Sequence, residues 1–339
     1  MAATDEAGAM VAALVERFGA CVRAAEPLAR HSTFGVGGPA DAWVTVASEV
    51  DAVALVTLAV ARGYPLMVVG NGTNVLYADS GIRGIVLQMA LDQWSVAPRD
   101  DGGALLVAGA GVSLPKLVND LAARGLTGLE WGAGVPGTIG GAIVSNAGAH
   151  SGDIAATIQS ARVLSVRGAS AHARGNVTVS DMDLAALGLA YRHSRFRSHR
   201  RITFDDNGRP TVPSHGPIDP TEMILAGTFL VARAPVEEVR ARVAAYRRHR
   251  KETQPVQGSA GSVFKNPLGD HAGRLIEAAG LKGTTVGGAQ ISPVHANFIV
   301  NAGGATARDV VALIALARRT VRERFGVQLE LEVELRGAW

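Results

Sequence analysis

Three runs of the chain join backbone that can hold a charged ligand to side chains that can orient it. At 68–74 the sequence VVGNGTN places Gly70, Asn71, Gly72, Thr73 and Asn74 straight after an apolar run. Such a turn exposes successive backbone N–H groups with little side-chain bulk, which suits a pyrophosphate. It is not the G-x-G-x-x-G nucleotide fingerprint, and taken alone a tight connection between strands explains it equally well. Residues 132–153, GAGVPGTIGGAIVSNAGAHSGD, pack seven glycines together with Thr138, Ser145 and Asn146. A structural turn seldom needs so many permissive residues, whereas backbone wrapped around a long cofactor does. STFGVGG, 32–38, is a third candidate, and separate loops fit a dinucleotide better than a mononucleotide.

Three further runs carry groups suited to proton and charge handling: YRHSRFR (191–197), SAGSVFKNP (259–267) and LELEV (329–333). A guanidinium keeps its charge and pairs bidentately with a carboxylate. A carboxyl in an apolar site can stay protonated, and a polarised hydroxyl can pass on a proton. Residue type alone does not separate Arg192 from Arg195 and Arg197. Alternation leaves Glu330, Glu332 and Glu334 interchangeable, and Ser262 reads first as a loop serine with a local turn bond.

The elements must position these runs within 339 residues, enough for two or three lobes. Net charge is only +3, and basic residues gather in Arg192–Arg201 and at Arg247, Arg248, Arg250 and Lys251. That is too local for a nucleic-acid groove, and 5% aromatics give no stacking platform. The clusters read as anion sites or as solvated faces. Cys21 is the single cysteine, so neither an internal disulfide nor a Cys/His zinc cluster can form, and no metal is expected. Asp5, Glu6 and Glu16 argue against a signal peptide, and no apolar run reaches the ~18 residues of a membrane span. A cytoplasmic protein with neither membrane nor nucleic-acid partner is expected.

Helical spacing covers 9–24, and 42–47, 49–62, 65–70 and 85–89 read strand, helix, strand, strand. A second unit has a strand at 105–111, a helix at 114–124 and strands at 161–166 and 229–234, the last two flanking an irregular polar insert at 198–221. Helices at 236–250, 272–279 and 306–325, a strand at 298–301 and a final strand QLELEVEL, 328–335, complete an α+β pattern. In that final strand the glutamates share one face.

In order along the chain, TFGVGGPA, GNGTNVL, GAGVPGTIGGAIVSNAG, YRHSRFR, SAGSVFKNP, AQISPVHANFIVN and LELEV resemble the UDP-N-acetylenolpyruvoylglucosamine reductase (UDP-N-acetylmuramate dehydrogenase) family, from about Ser32 to Gly337. The resemblance implies an α+β fold: two FAD-binding lobes of the vanillyl-alcohol-oxidase type and a C-terminal substrate lobe. It suggests lobes at 1–90 (joined by the strand 326–339), 91–234 and 235–325. It implies that NADPH reduces FAD, leaves, and is replaced in the same site by the enolpyruvyl UDP-sugar, which takes hydride from flavin N5 at C3, a step of peptidoglycan precursor synthesis. A monomer is expected.

By the same resemblance Ser262 protonates C2, Glu332 assists near the reacting centre, and Arg192 clamps the substrate and stabilises the enolate. Developing negative charge requires fixed positive charge and a proton donor, and a carboxyl there must be protonated or well hydrogen-bonded, so a raised pKa is expected at Glu332. Tyr191, Lys265, Asn266 and Gln290 match substrate-contacting positions. Cofactor contacts fall to Thr33, Gly70, Asn71, Gly72, Thr73, Asn74, Val75, Gly134, Val135, Gly137, Thr138, Gly141, Asn146 and Gly148. His31 and His295 could serve as acids or flavin attachment points on this type of fold, but the family has no covalent FAD and both read as structural. The chain departs from the family pattern at Ser32–Thr33, where Asn-Thr is usual, and at Thr253, where lysine is common, so Arg250 or Lys251 would supply charge for a substrate phosphate. One subtype closes a tyrosine-bearing loop over the sugar; the 198–221 insert has no tyrosine and fits the other subtype. A flavin oxidase of a small alcohol or lactone and a non-catalytic FAD-binding protein are the competing readings.

Overall fold

Ser48 starts the helix Glu49–Arg62 by accepting the Asp51 N–H, and Gly63, at φ 68°, ends it. The helix turns Ala52, Leu55, Val56 and Ala59 onto a sheet whose strands carry Val44, Ile85 and Leu87 into the same core. That sheet runs in the order Val22–Pro27, Pro39–Val46, Ile82–Met89, Leu66–Val69, Ile218–Asp219. Only its first pairing is antiparallel; the others are parallel, which accounts for the near-continuous apolar runs. The computed structural model describes residues 2–168, 175–197, 202–205, 209–212 and 217–339.

A second sheet is antiparallel throughout, in the order Asn176–Asp183, Ile158–Arg167, Glu222–Arg233, Ala104–Gly109, Trp94–Pro98, with Leu126–Thr127 also on Glu222–Arg233. It shares the main core with the first. The C-terminal part has its own core, in which the helices Ala272–Ala278 and Ala307–Phe325 pack with the three-stranded sheet Thr285–Val286, Ala289–Ile291, Ile299–Asn301. A capping box between Thr306 and Asp309 opens the long helix. The last strand, Glu334–Arg336, returns to pair in parallel with Val75–Tyr77, directly after the first glycine loop.

Three expectations change. The first helix is Ala2–Phe18, not 9–24: Gly19 takes φ 53°, and Val22 already belongs to a strand. The final strand is confined to Glu334–Arg336; residues 328–333 lie against the core through a single bridge, Leu331 to Phe264. The insert is not wholly irregular: Thr203–Phe204 pairs with Pro210–Thr211, and Ile218–Asp219 rejoins the first sheet. Its positions 198–201, 206–208 and 213–216 lie outside the described residues.

Candidate functional site

The three glycine-rich runs meet. Thr73 Oγ1 donates to the Pro136 carbonyl at 3.3 Å, and the Thr33 N–H donates to the Gly72 carbonyl at 3.3 Å. Gly72 has φ +60°, and a Cβ there would lie 1.8 Å from the His31 carbonyl oxygen; one on Gly70 would lie 2.6 Å from Thr138 Oγ1. Thr138 caps the helix Ile139–Ser145 by accepting the Gly141 N–H at 3.3 Å. Among the described residues, no acceptor takes the N–H groups of Asn71, Gly72, Thr73 or Asn74. This is the donor set a pyrophosphate needs, so the loops fit a dinucleotide cofactor.

The remaining cofactor candidates differ in what they do. Val75 opens the strand that pairs with Glu334–Arg336. The Gly137 carbonyl accepts from Leu114, and Val135 packs on the main core. Asn146 is buried, and its amide is spent inside the protein: Nδ2 donates to Ala190 O (2.9 Å) and Asp153 Oδ2 (3.2 Å), while Oδ1 accepts the Ala155 N–H (3.0 Å). It thereby holds the turn that carries Arg192. Gly148 does the same through its carbonyl, which accepts from Arg192 Nη2 at 2.5 Å. Gly134 lies against the Arg250 side chain, so the cation that the sequence offered to a substrate phosphate stands beside the second glycine loop.

Arg192 and Glu332 form an ion pair, Nε to Oε1 at 3.0 Å, both side chains about one-fifth exposed. Glu330, by contrast, is 74% exposed and lies 3.8 Å from Lys265 Nζ. Burial separates Glu332 from Glu330, while Glu334, just as buried, differs in its partners, Arg197 and Arg336. The Glu332 backbone is fixed from three sides: its carbonyl accepts from Asn74 Nδ2 (3.0 Å) and Arg197 Nη2 (2.7 Å), and its N–H donates to Val263 O (2.8 Å). Burial pushes the Glu332 carboxyl above the ordinary range, against the opposing pull of Arg192, Arg197 and Lys265. Ser262 precedes Val263 and bridges Phe298; next to it, the buried Asn297 amide both accepts from Phe264 N–H (3.0 Å) and donates to its carbonyl (2.8 Å). Ser262 and Glu332 are thus held on adjoining backbone.

Tyr191 is exposed, with its ring 5.3 Å from the Arg192 guanidinium, and its hydroxyl accepts the Asn266 N–H at 3.4 Å. Asn266 Oδ1 accepts the Ala272 N–H. The Gln290 amide donates to Gly283 O at 3.2 Å. His31 pairs with Glu26 at 2.9 Å and stacks on Trp43 at 3.7 Å. His295 accepts the Asn297 N–H, and burial lowers its pKa. Both histidines have structural work. Sequence reasoning missed Asn297 and the Arg197 tether; neither carries a spacing signal, because each acts through backbone carbonyls or N–H groups.

Residues 254–336 match the C-terminal domain of UDP-N-acetylenolpyruvoylglucosamine reductase, and 39–173 match an FAD-binding domain. A UDP-N-acetylenolpyruvoylglucosamine reductase of Chloroflexus aggregans is 42% identical over 314 residues, covering 93% of this chain and 97% of the relative. The chain belongs to the UDP-N-acetylenolpyruvoylglucosamine reductase family. A second reductase of that name, from Symbiobacterium thermophilum, is 42% identical over 320 residues, 93% of this chain and 92% of its own. The crystal structure of the reductase from Thermus caldophilus superposes with a TM-score of 0.68 at 34% identity, covering 92% of this chain and 97% of that one. The fold is accordingly a vanillyl-alcohol-oxidase-type FAD-binding domain followed by the C-terminal domain of this reductase family. None of the described helices is long and apolar enough to cross a membrane.

Proposed function

We propose that the chain catalyses NADPH-dependent reduction of UDP-N-acetylglucosamine enolpyruvate to UDP-N-acetylmuramate, a cytoplasmic step of peptidoglycan precursor synthesis, as a monomer. The observation that carries this reading is the half-buried Arg192–Glu332 pair, tied by Asn74 to the loop that offers free N–H groups. An oxidase of alcohols needs no fixed cation and up-shifted carboxyl at its reacting carbon, whereas reduction of an enolpyruvyl group does.

FAD, held by the 70–75 and 134–141 backbone with Thr33 and Thr138, supplies a carrier for the electron pair between reductant and sugar. Arg192 offers its guanidinium to the enolpyruvyl carboxylate, where negative charge builds as the double bond is reduced. Ser262 delivers the proton to C2. Glu332, its pKa raised by burial, stabilises that charge in its protonated form by donating rather than repelling. Tyr191, Lys265 and Asn266 orient the sugar, with Gln290 further out. Arg250, against Gly134, serves the cofactor loop. In this arrangement 1–90 with 326–339, and 91–234, enclose the cofactor, and 235–325 carries the sugar. Incubation with NADPH and the enolpyruvyl sugar should yield a product heavier by two hydrogens; recovery of unchanged sugar would refute the reading.

A further inference from the structure

The turn that carries Arg192 grips Glu332 at two points. Arg192 meets the carboxylate, Nε to Oε1 at 3.0 Å, and Arg197, further along the same run, donates from Nη2 to the Glu332 carbonyl at 2.7 Å. Arg197 also pairs with Glu334, Nε to Oε1 at 3.3 Å. Ladder support is sparse here: 328–333 makes a single bridge, and the Glu332 backbone depends on Val263, Asn74 and Arg197.

Arg197 is itself held on both sides. The Arg197 N–H donates to the Ser194 carbonyl at 3.0 Å, and the buried Ser194 hydroxyl donates to Val144 O at 2.6 Å. Beyond Glu334 the charges alternate: Arg336 donates to Glu334 Oε2 at 3.0 Å and to Asp219 Oδ2 at 2.5 Å, and Asp219 lies in the strand by which the insert rejoins the first sheet. Stability alone does not account for such a residue. The Arg197 side chain is about nine-tenths buried, and its Nη1 is buried with no acceptor among the described residues. A buried guanidinium with an unmet donor carries a cost that an apolar side chain avoids.

We propose that Arg197 is a positioning residue of the reduction: by holding the Glu332 carbonyl while Arg192 holds the carboxylate, it fixes where that carboxyl stands in the reaction centre. The proposal rests on the reading that Glu332 serves reduction of the enolpyruvyl sugar. The Arg197 charge has a second consequence. Arg192, Arg197 and Lys265 are the cations that oppose the upward push of burial on the Glu332 carboxyl. Glu330 and Glu334 flank it on its own segment, and His193 and Arg318 line the adjoining cavity. Without the Arg197 charge burial is less opposed, so Glu332 keeps its proton to higher pH.

The test compares flavin-loaded Arg197→Gln and Arg197→Lys with the wild type in the two half-reactions. Flavin reduction by NADPH should stay within about twofold in both. Reoxidation by the enolpyruvyl sugar should slow about tenfold or more in Arg197→Gln, the loss of one charge-assisted bond, and the limb that declines with rising pH should move to higher pH. Arg197→Lys keeps the charge without the planar fork, so the limb should stay and the sugar step should slow only about threefold. Equal slowing of both half-reactions, a wild-type sugar step, or an unmoved limb in Arg197→Gln overturns the proposal. If Arg197→Gln does not fold, Arg197→Lys decides: slowing of the sugar step alone supports the proposal, and no slowing overturns it. If the sugar fails to reoxidise the wild-type flavin, the functional reading falls. The titration midpoint of the Glu332 carboxyl, followed by the infrared C=O band that Glu332→Gln removes, then decides on Arg197: a rise in Arg197→Gln supports its role, and an unchanged midpoint overturns it.

Discussion

The cofactor loops and the Arg192–Glu332 centre touch each other but are built in opposite ways. At 70–74 and 134–141 the backbone does the contacting, and side chains are minimised so that three runs can close on one another. At 192 and 332 side chains carry the charge, and the backbone is clamped merely to aim them: Gly148 O holds Arg192, while Asn74, Arg197 and Val263 hold Glu332. A backbone-built site should therefore fail by added bulk and lose its ligand. A side-chain-built site should keep its ligand and lose a single chemical step.

The largest effect is expected at Gly72. A Cβ there meets the His31 carbonyl at 1.8 Å in a left-handed backbone, so Gly72→Ala must displace the loop. FAD affinity should fall on the order of 100-fold, ~3 kcal/mol, and the purified protein should lose its absorbance near the flavin band. A fully yellow Gly72→Ala protein would remove the distinction. Next comes Ser262→Ala: flavin reduction by NADPH should proceed as in the wild type, while reoxidation by the sugar slows ~10²–10⁴-fold. Equal slowing of both halves would place Ser262 with the cofactor instead.

Glu332→Gln and Glu330→Gln test how far burial decides. The first should slow sugar reduction by about 100-fold. The exposed Glu330 should change it by no more than about twofold, as for surface positions. The pH dependence carries the same point with a definite sign. Because burial raises the Glu332 pKa, its protonated form persists above the ordinary carboxylate range. A reaction needing that form is fast below the raised pKa and declines as pH rises through it, and Glu332→Gln should abolish the declining limb. The smallest effect belongs to the seam: Asn74→Ala removes one bond to the Glu332 carbonyl, and a loss of ~1 kcal/mol should slow sugar reduction about fivefold. A change in FAD retention alone would show that Asn74 serves only the cofactor side.

The same contrast explains what the sequence made legible. Glycine runs are legible because tight backbone approach leaves few alternatives to glycine, and the helix Glu49–Arg62 was readable from its apolar period. The final strand was over-read: alternation of Leu329, Leu331 and Val333 arises in any extended segment laid on a core, and it does not require the ladder that only Glu334–Arg336 makes. The choice of Glu332 over Glu330 needed the family motif, because the deciding quantity is burial by Arg192 and the 263 backbone, both remote in sequence. Asn146 looked like a cofactor contact from its glycine surroundings; its partners, Asp153, Ala155 and Ala190, show an amide that organises the turn before Arg192.

The most direct measurement is the visible spectrum of the pure protein under anaerobic conditions, before NADPH, after NADPH, and after addition of enolpyruvyl-UDP-N-acetylglucosamine. A flavin band that bleaches with NADPH and returns with the sugar is the expected result. A band that NADPH leaves intact, or that the sugar fails to restore, contradicts a reductase centred on Ser262, Arg192 and Glu332.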